Sequence, residues 1–299
     1  MSSTHLGLDL GGTNIKVATL ARTDSGFEVL TTHSIETSAA DGPESVAANL
    51  IGAGKEVAAN VDFETLGLGV PGHFEPDTGR VRLFPNLPGR WKGFPLRDRV
   101  GESLGVPTWM INDARAFTLA EGLLGAGMGC TTVVCVTLGT GVGGGIMIDG
   151  KLHRGAFGVA GEIGHQIIVP DGPVCGCGNR GCVEAMTRAD VLASLAGQKT
   201  ASEVFEAAKT GDAKSLDAIQ EVADFLGIAL ANMVTLIGPD RIVVGGGIAE
   251  AGDLLLDPIE SALKARVTLV PTEKIEIVPA MYGRFSGAVG AALAGVVRS

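Results

Sequence analysis

Two short stretches constrain this chain more than anything else in it: Leu8-Asp9-Leu10-Gly11-Gly12-Thr13 and Val136-Thr137-Leu138-Gly139-Thr140-Gly141. In each, an apolar run of strand type ends in a Gly/Thr turn and then runs back as a second strand. Glycine clusters at such junctions let backbone approach something closely. The echo predicts two related lobes, each built around one such turn, and 299 residues suffice for two lobes of ordinary domain size. With 45% hydrophobic and 19% charged residues, the lobes should be well packed.

The rest of the chain supplies the parts of an α/β protein. Strands are predicted at Leu6–Leu10, Ile15–Leu20, Glu28–His33, Thr65–Val70, Thr108–Ile111, Thr132–Leu138, Ile242–Val244 and Ile275–Val278. Helical spacing of Val46, Leu50 and Val57 predicts a helix over 43–59, and further helices are expected over 114–124, from Asp212 to about Leu236, and over 286–297. Asp149-Gly150 between Ile146–Ile148 and Lys151–His153 is a hairpin signal, and Thr200-x-x-Glu203 reads as a capping box. Residues 73–95 hold four of the 13 prolines and read as a long irregular loop, the kind that usually carries function.

Charge excludes some partners. The net charge of -10 and pI of about 5.0 repel phosphate backbones, so no nucleic-acid partner is expected. The opening MSSTHLGLDLGG lacks a basic region and a cleavable apolar core, and no apolar run reaches about 18 residues. The expectation is a cytoplasmic chain with no membrane partner, whose five Cys are mostly reduced.

Gly139-x-Gly141-x-x-Gly144 fits a dinucleotide fingerprint in letters only, because that fingerprint needs a following helix and a β-hairpin follows here. The turn reads either as a backbone N–H nest for phosphate oxygens or as a Gly-rich hairpin with no ligand. Asp9, inside an apolar strand, is either a hydrogen-bonded structural acid or an acid near a nucleotide's Mg²⁺. Asp113, between a strand and a helix, is either an N-cap or a general base.

His165, Cys175, Cys177 and Cys182 make the sharpest local signal. One imidazole and three thiols in a CGCGNRGC setting match a tetrahedral Cys₃His zinc site, closed and therefore structural. Cys130 and Cys135 read as ordinary buried residues. Glu162 and Glu184 flank the cluster and are either sugar-binding carboxylates or solvated acids; spacing alone leaves both open.

Taken in order, LDLGGTNIK, GVPG (69–72), Asn112-Asp113, LGTGVGGG (138–145), GEIGH (161–165), CGCGNRGC (175–182) and VVGGG (243–247) resemble the ROK family of sugar kinases, its bacterial glucokinase branch above all. The resemblance spans essentially the whole chain. It implies an α/β, two-lobed actin-like ATPase (ribonuclease H-like) fold with a cleft between lobes. One lobe would be 1–113 completed by helix 286–299, and the other 114–285 with the zinc loop. It further implies ATP-dependent phosphorylation of a hexose, glucose at the 6-hydroxyl first, with Mg²⁺ and structural Zn²⁺, in a homodimer or higher homo-oligomer.

By the same resemblance Asp113 is the catalytic base, and Asn86, Asn112, Asp113, Glu162, His165 and Glu184 contact the sugar. Asp9, Gly11, Gly12, Thr13, Lys16, Gly139, Thr140 and Gly141 serve Mg²⁺ and phosphates; Gly245, Gly246 and Gly247 lie near adenosine. Two departures bear on the hexose. Where E-N-D-A-N-A is common, this chain has Ile111-Asn112-Asp113-Ala114-Arg115-Ala116, with Arg115 able to pair with a phosphate or an acid; and Ala-Met-Thr-Arg follows Glu184. The nearer alternative is an N-acetylglucosamine or N-acetylmannosamine kinase. A sugar-responsive regulator would carry an N-terminal helix-turn-helix, for which a strand starting by Leu6 leaves no room.

Overall fold

The structure, a computed structural model, describes residues 3–85 and 87–297. It divides into two units, Met1–Ala120 with Phe285–Ser299, and Glu121–Arg284.

The first unit contains β1 (Thr4–Leu10), β2 (Asn14–Thr23), β3 (Gly26–Glu36), α1 (Pro43–Ala58), β4 (Thr65–Val70), β5 (His73–Phe74), β6 (Val81–Leu83), α2 (Leu96–Leu104) and β7 (Thr108–Asn112). From β7 the chain enters α3 (Asp113–Leu123). Five of the strands form a sheet in the order β3-β2-β1-β4-β7, antiparallel from β3 to β1 and parallel from β1 to β7. Strand period sorts the side chains by face. Leu6, Leu8 and Leu10, with Leu66, Leu68 and Val70, pack in one apolar core with Val46, Ala47 and Leu50 of α1. The opposite face of the same two strands carries Gly7 and Gly67. A Cβ at Gly67 would run into the Ala291 carbonyl of the C-terminal helix Ser286–Ala294, and one at Gly7 into Ala288 and Ala292. Removing side chains there lets helix backbone rest on strand backbone.

The 73–95 segment is more ordered than its composition suggests. β5 and β6 pair as a small hairpin sheet, and Phe84, Leu87 and Trp91 are buried in the unit's core. The Trp91 ring lies 4.9 Å from Phe84 and 5.6 Å from Phe94, and its indole N–H donates to the Pro88 carbonyl at 3.0 Å. Aromatic packing holds this segment down together with backbone hydrogen bonds such as Val81 N–H to the Phe94 carbonyl at 3.0 Å and Gly93 N–H to the Val81 carbonyl at 2.7 Å.

The second unit contains β8 (Thr132–Leu138), β9 (Val142–Ile148), β10 (Lys151–Leu152), α4 (Val183–Thr187), α5 (Ala189–Ala196), α6 (Ala201–Lys209), α7 (Ala213–Ile237), β11 (Arg241–Gly245), α8 (Asp253–Lys264) and β12 (Glu276–Pro279). Its sheet runs β10-β9-β8-β11-β12, antiparallel across β10, β9 and β8 and parallel across β8, β11 and β12. This repeats the first sheet strand for strand. The echo between Leu8–Thr13 and Val136–Gly141 is therefore one topology used twice.

Thr200 caps α6 by accepting the Glu203 N–H, but the Glu203 carboxylate reaches back to the Lys199 N–H rather than closing a strict capping box. Asp149 and Gly150 both have positive φ, as a two-residue hairpin turn requires. By length and composition α7 is apolar enough to cross a membrane, although 56% of its apolar window is buried within the protein. Leu226, Leu230 and Val234 place it in the second unit's core.

Candidate active site

In the first unit, the β1–β2 turn is closed by the Gly11 N–H donating to the Asn14 carbonyl at 3.1 Å. Gly12 and Thr13 are exposed at its tip. Thr37, fully buried beyond β3, sets the direction of this turn. Its hydroxyl donates to the Gly11 carbonyl at 2.7 Å, and its backbone N–H to the Thr13 carbonyl at 2.9 Å. In a trans peptide the N–H points opposite the carbonyl. Pulling these two carbonyls toward Thr37 therefore turns the Gly12 and Asn14 N–H groups the other way, in the manner of an anion nest.

Asp9 lies beside this turn, opposite Lys16 in the β1–β2 register, with Lys16 Nζ 3.7 Å from its Oδ2. Burial pushes the Asp9 carboxyl above its ordinary range, and Lys16 partly offsets this. The carboxyl occupies room that Gly69 and Gly287 leave by having no Cβ.

At the end of β7, Asn112 and Asp113 have distinct jobs. Asn112 Oδ1 accepts the Arg115 N–H at 3.3 Å, the pattern of an N-cap, so the cap belongs to Asn112 and not to Asp113. Asp113 is the first residue of α3, and its Oδ1 accepts the Ala114 N–H at 2.8 Å and Asn112 Nδ2 at 3.0 Å. A helix N-terminus favours negative charge at that position. The result is a half-buried carboxylate held in a fixed plane. Asn86 lies outside the described residues.

In the second unit, Gly139–Gly141 is the tight turn between β8 and β9, with the Gly139 N–H donating to the Gly141 carbonyl at 3.0 Å. The Gly245–Gly247 turn meets it at the same sheet edge. Gly245 is in register with Thr137, the Ile248 N–H donates to the Leu138 carbonyl at 3.1 Å, and a Cβ at Gly246 (φ 90°) would run into Leu138 backbone. A side chain at 246 would be both strained and obstructed. Two of the three glycine segments singled out in the sequence thus converge.

His165, Cys175, Cys177 and Cys182 also converge. Their ligand atoms all lie within 4.8 Å of one another, with His165 Nδ1 3.7 Å from Cys175 Sγ and Cys177 Sγ 3.8 Å from Cys182 Sγ. Zn–S and Zn–N bonds of about 2.3 and 2.0 Å on a tetrahedron put ligand atoms roughly 3.3–3.8 Å apart. The four residues fit such an ion. Backbone pairing of Ile167 with Cys182 and of Val174 with Arg180 brings them together. Burial pushes the Cys175 thiol up to about 12 when no cation is present; a bound cation reverses that preference.

Glu162 immediately precedes the short 3₁₀ turn Ile163–His165. That turn sits close against β9, where a Cβ at Gly164 would meet the Val142 carbonyl and one at Gly161 the Gly145 backbone. Glu184 lies between the thiols and the glycine turn. Its Oε2 accepts the Val142 N–H at 3.0 Å, and its Oε1 is 3.5 Å from Cys175 Sγ.

A family model described as "ROK family" matches residues 5–295. The chain belongs to the ROK family. It is 36% identical to a glucokinase of Halalkalibacterium halodurans, over 96% of this chain and 93% of that one. It is 34% identical to a xylose repressor of Caldicellulosiruptor bescii, over 67% of this chain and 54% of the repressor. Among solved structures, the crystal structure of a ROK family glucokinase from Streptomyces griseus in complex with glucose and AMPPNP matches with a TM-score of 0.83 and 32% identity, covering 99% of each chain. The actin-like ATPase fold expected from the motifs is the fold of this ROK protein.

Thr37 is the partner of the β1–β2 turn least visible in sequence. It stands 26 residues from Gly11, and only the β2–β3 register brings it back. Replacing it with Val keeps its shape but removes the hydroxyl that holds the Gly11 carbonyl. Thr37→Val is expected to raise the KM for ATP about tenfold, the scale of one lost hydrogen bond in a phosphate cradle. Thr37→Ser should stay near wild type. Steady-state kinetics with ATP varied would check this, and equal KM values in Val and Ser variants would contradict it.

Proposed function

We propose that this chain is an ATP-dependent glucokinase, transferring the γ-phosphoryl group to the 6-hydroxyl of glucose. What carries the reading is likeness over full length: 93% of the H. halodurans glucokinase is matched, against 54% of the xylose repressor. The residues supply what the chemistry needs. Phosphoryl transfer passes through a loose transition state, so positioning and charge neutralisation do most of the work. The Gly11–Thr13 and Gly139–Gly141 turns offer backbone N–H groups to phosphate oxygens, and Lys16 adds a positive charge. Gly245–Gly247 suits adenosine, because its bare backbone admits a flat group. Mg²⁺, bound with the nucleotide and reached by Asp9 through water, would neutralise phosphate charge.

Asp113 orients the 6-hydroxyl and takes its proton as the new O–P bond forms and the bond to ADP breaks. Asn112, Glu162, His165, Glu184 and Asn86 address the remaining hydroxyls, and Glu184 would exchange its Val142 N–H for a sugar hydroxyl. Zinc on His165, Cys175, Cys177 and Cys182 would supply structure, holding residues 165–182 closed. The test is a phosphorylation assay with ATP across glucose, mannose, N-acetylglucosamine and N-acetylmannosamine. Glucose should give the highest kcat/KM; a higher value for an N-acetylated sugar would overturn the choice of hexose.

A further inference from the structure

We infer that Arg115 is a positioning residue for the proton-accepting carboxylate, acting through the amide of Asn112. The inference rests on the proposed role of Asp113 as base. Arg115 is the third residue of α3 and is buried, with 7% of its surface exposed. Its Nη1 donates to Asn112 Oδ1 at 2.9 Å. The other end of the same amide, Nδ2, donates to Asp113 Oδ1 at 3.0 Å and approaches the Gly72 carbonyl at 3.4 Å.

The two ends of an asparagine amide are nearly alike in shape, so partners decide which way it faces. A guanidinium has donors only and can face nothing but the amide oxygen. That choice forces the NH₂ end toward Asp113. A flipped amide would set oxygen against carboxylate oxygen and guanidinium against NH₂, two repulsive contacts in place of two hydrogen bonds. The Arg115 backbone N–H favours the same orientation, but from 3.3 Å. With the amide fixed, Asp113 Oδ1 keeps two N–H donors and its carboxyl plane is set.

The first turn of a helix carries partial positive charge, and a buried guanidinium there is disfavoured. The Nη1 hydrogen bond to Asn112 Oδ1 ties this arginine to the orientation of the amide.

The experiment uses the full chain and four variants, Arg115→Met, Arg115→Lys, Asn112→Ala and Asp113→Asn, with glucose and ATP. Rates are taken per folded molecule, with the folded fraction measured by circular dichroism. Arg115→Met should lower kcat about tenfold, the scale of a slightly misplaced catalytic group. Arg115→Lys retains a donor-only group and should recover most of the loss. In the Asn112→Ala background, Arg115→Met should lower kcat no further.

A purely structural arginine would lower the melting temperature but leave kcat per folded molecule unchanged in Arg115→Met, and that result overturns the inference. An undiminished tenfold effect in the Asn112→Ala background also overturns it, since Arg115 would then act without the amide. If Asp113→Asn keeps wild-type kcat, the base assignment itself fails. The inference fails alone if Asp113→Asn is crippled while Arg115→Met is not.

Discussion

Asp113→Asn should lower kcat by about a hundredfold or more while changing glucose affinity far less. Asp113 Oδ1 accepts the Ala114 N–H and Asn112 Nδ2. An asparagine at 113 would place its carbonyl oxygen in that same position, because only an acceptor suits two donors. Its NH₂ then replaces the second carboxylate oxygen. Shape and helix start are kept, and what is lost is an atom able to take a proton. Stopped or steady-state assays give kcat, and calorimetry gives glucose affinity. A variant with near-normal kcat would remove Asp113 from the chemistry.

The second large effect concerns the metal. Cys177→Ser should release zinc, lower the melting temperature by several degrees or more, and weaken glucose binding more than ATP binding. Cys177 is the exposed member of the cluster, whereas Cys175 and Cys182 are buried, so its replacement removes a ligand without opening a core cavity. Stability changes of this kind read out at about 2–4 °C per kcal/mol in domains of this size. Glucose binding should suffer because Glu162 and Glu184 are tied to the clamped segment: one adjoins the His165 turn, and the other contacts Cys175. Elemental analysis should find about one zinc per wild-type chain. A metal-free variant that binds and phosphorylates glucose normally would break the link between zinc and site.

How much of this was readable in the amino-acid order depends on the range of the interaction. Strand period and Gly/Thr turns are local, and β1, β4 and β8 fall where Leu6–Leu10, Thr65–Val70 and Thr132–Leu138 predict them. The duplicated sheet was legible as an echo because each strand–turn–strand unit is contiguous. The gathering of His165, Cys175, Cys177 and Cys182 was legible for the same reason, with three of the four in eight residues.

Two helices were not readable. α2 (LRDRVGESL) turns one narrow stripe, Leu96, Val100 and Leu104, toward the core, and with only three apolar residues in nine it stands out little from a polar loop. α8 carries Pro258 in its interior, ordinarily a sign against helix, yet Leu255, Leu256, Ile259, Ala262 and Leu263 bury a full stripe that outweighs the missing hydrogen bond. At the site, the division of labour between Asn112 and Asp113 was hidden because both residue types cap helices well. Thr37 and the present partners of Glu184 depend on which segments pair in three dimensions. No spacing rule along the chain reports that.

Phosphorus NMR of a mixture of wild-type enzyme, Mg²⁺, ATP and glucose tests the central claim most directly. A phosphate ester at the glucose 6-position should appear in step with ADP, one for one, with little inorganic phosphate. ADP accompanied by inorganic phosphate alone, or no turnover of ATP in the presence of glucose, would contradict it.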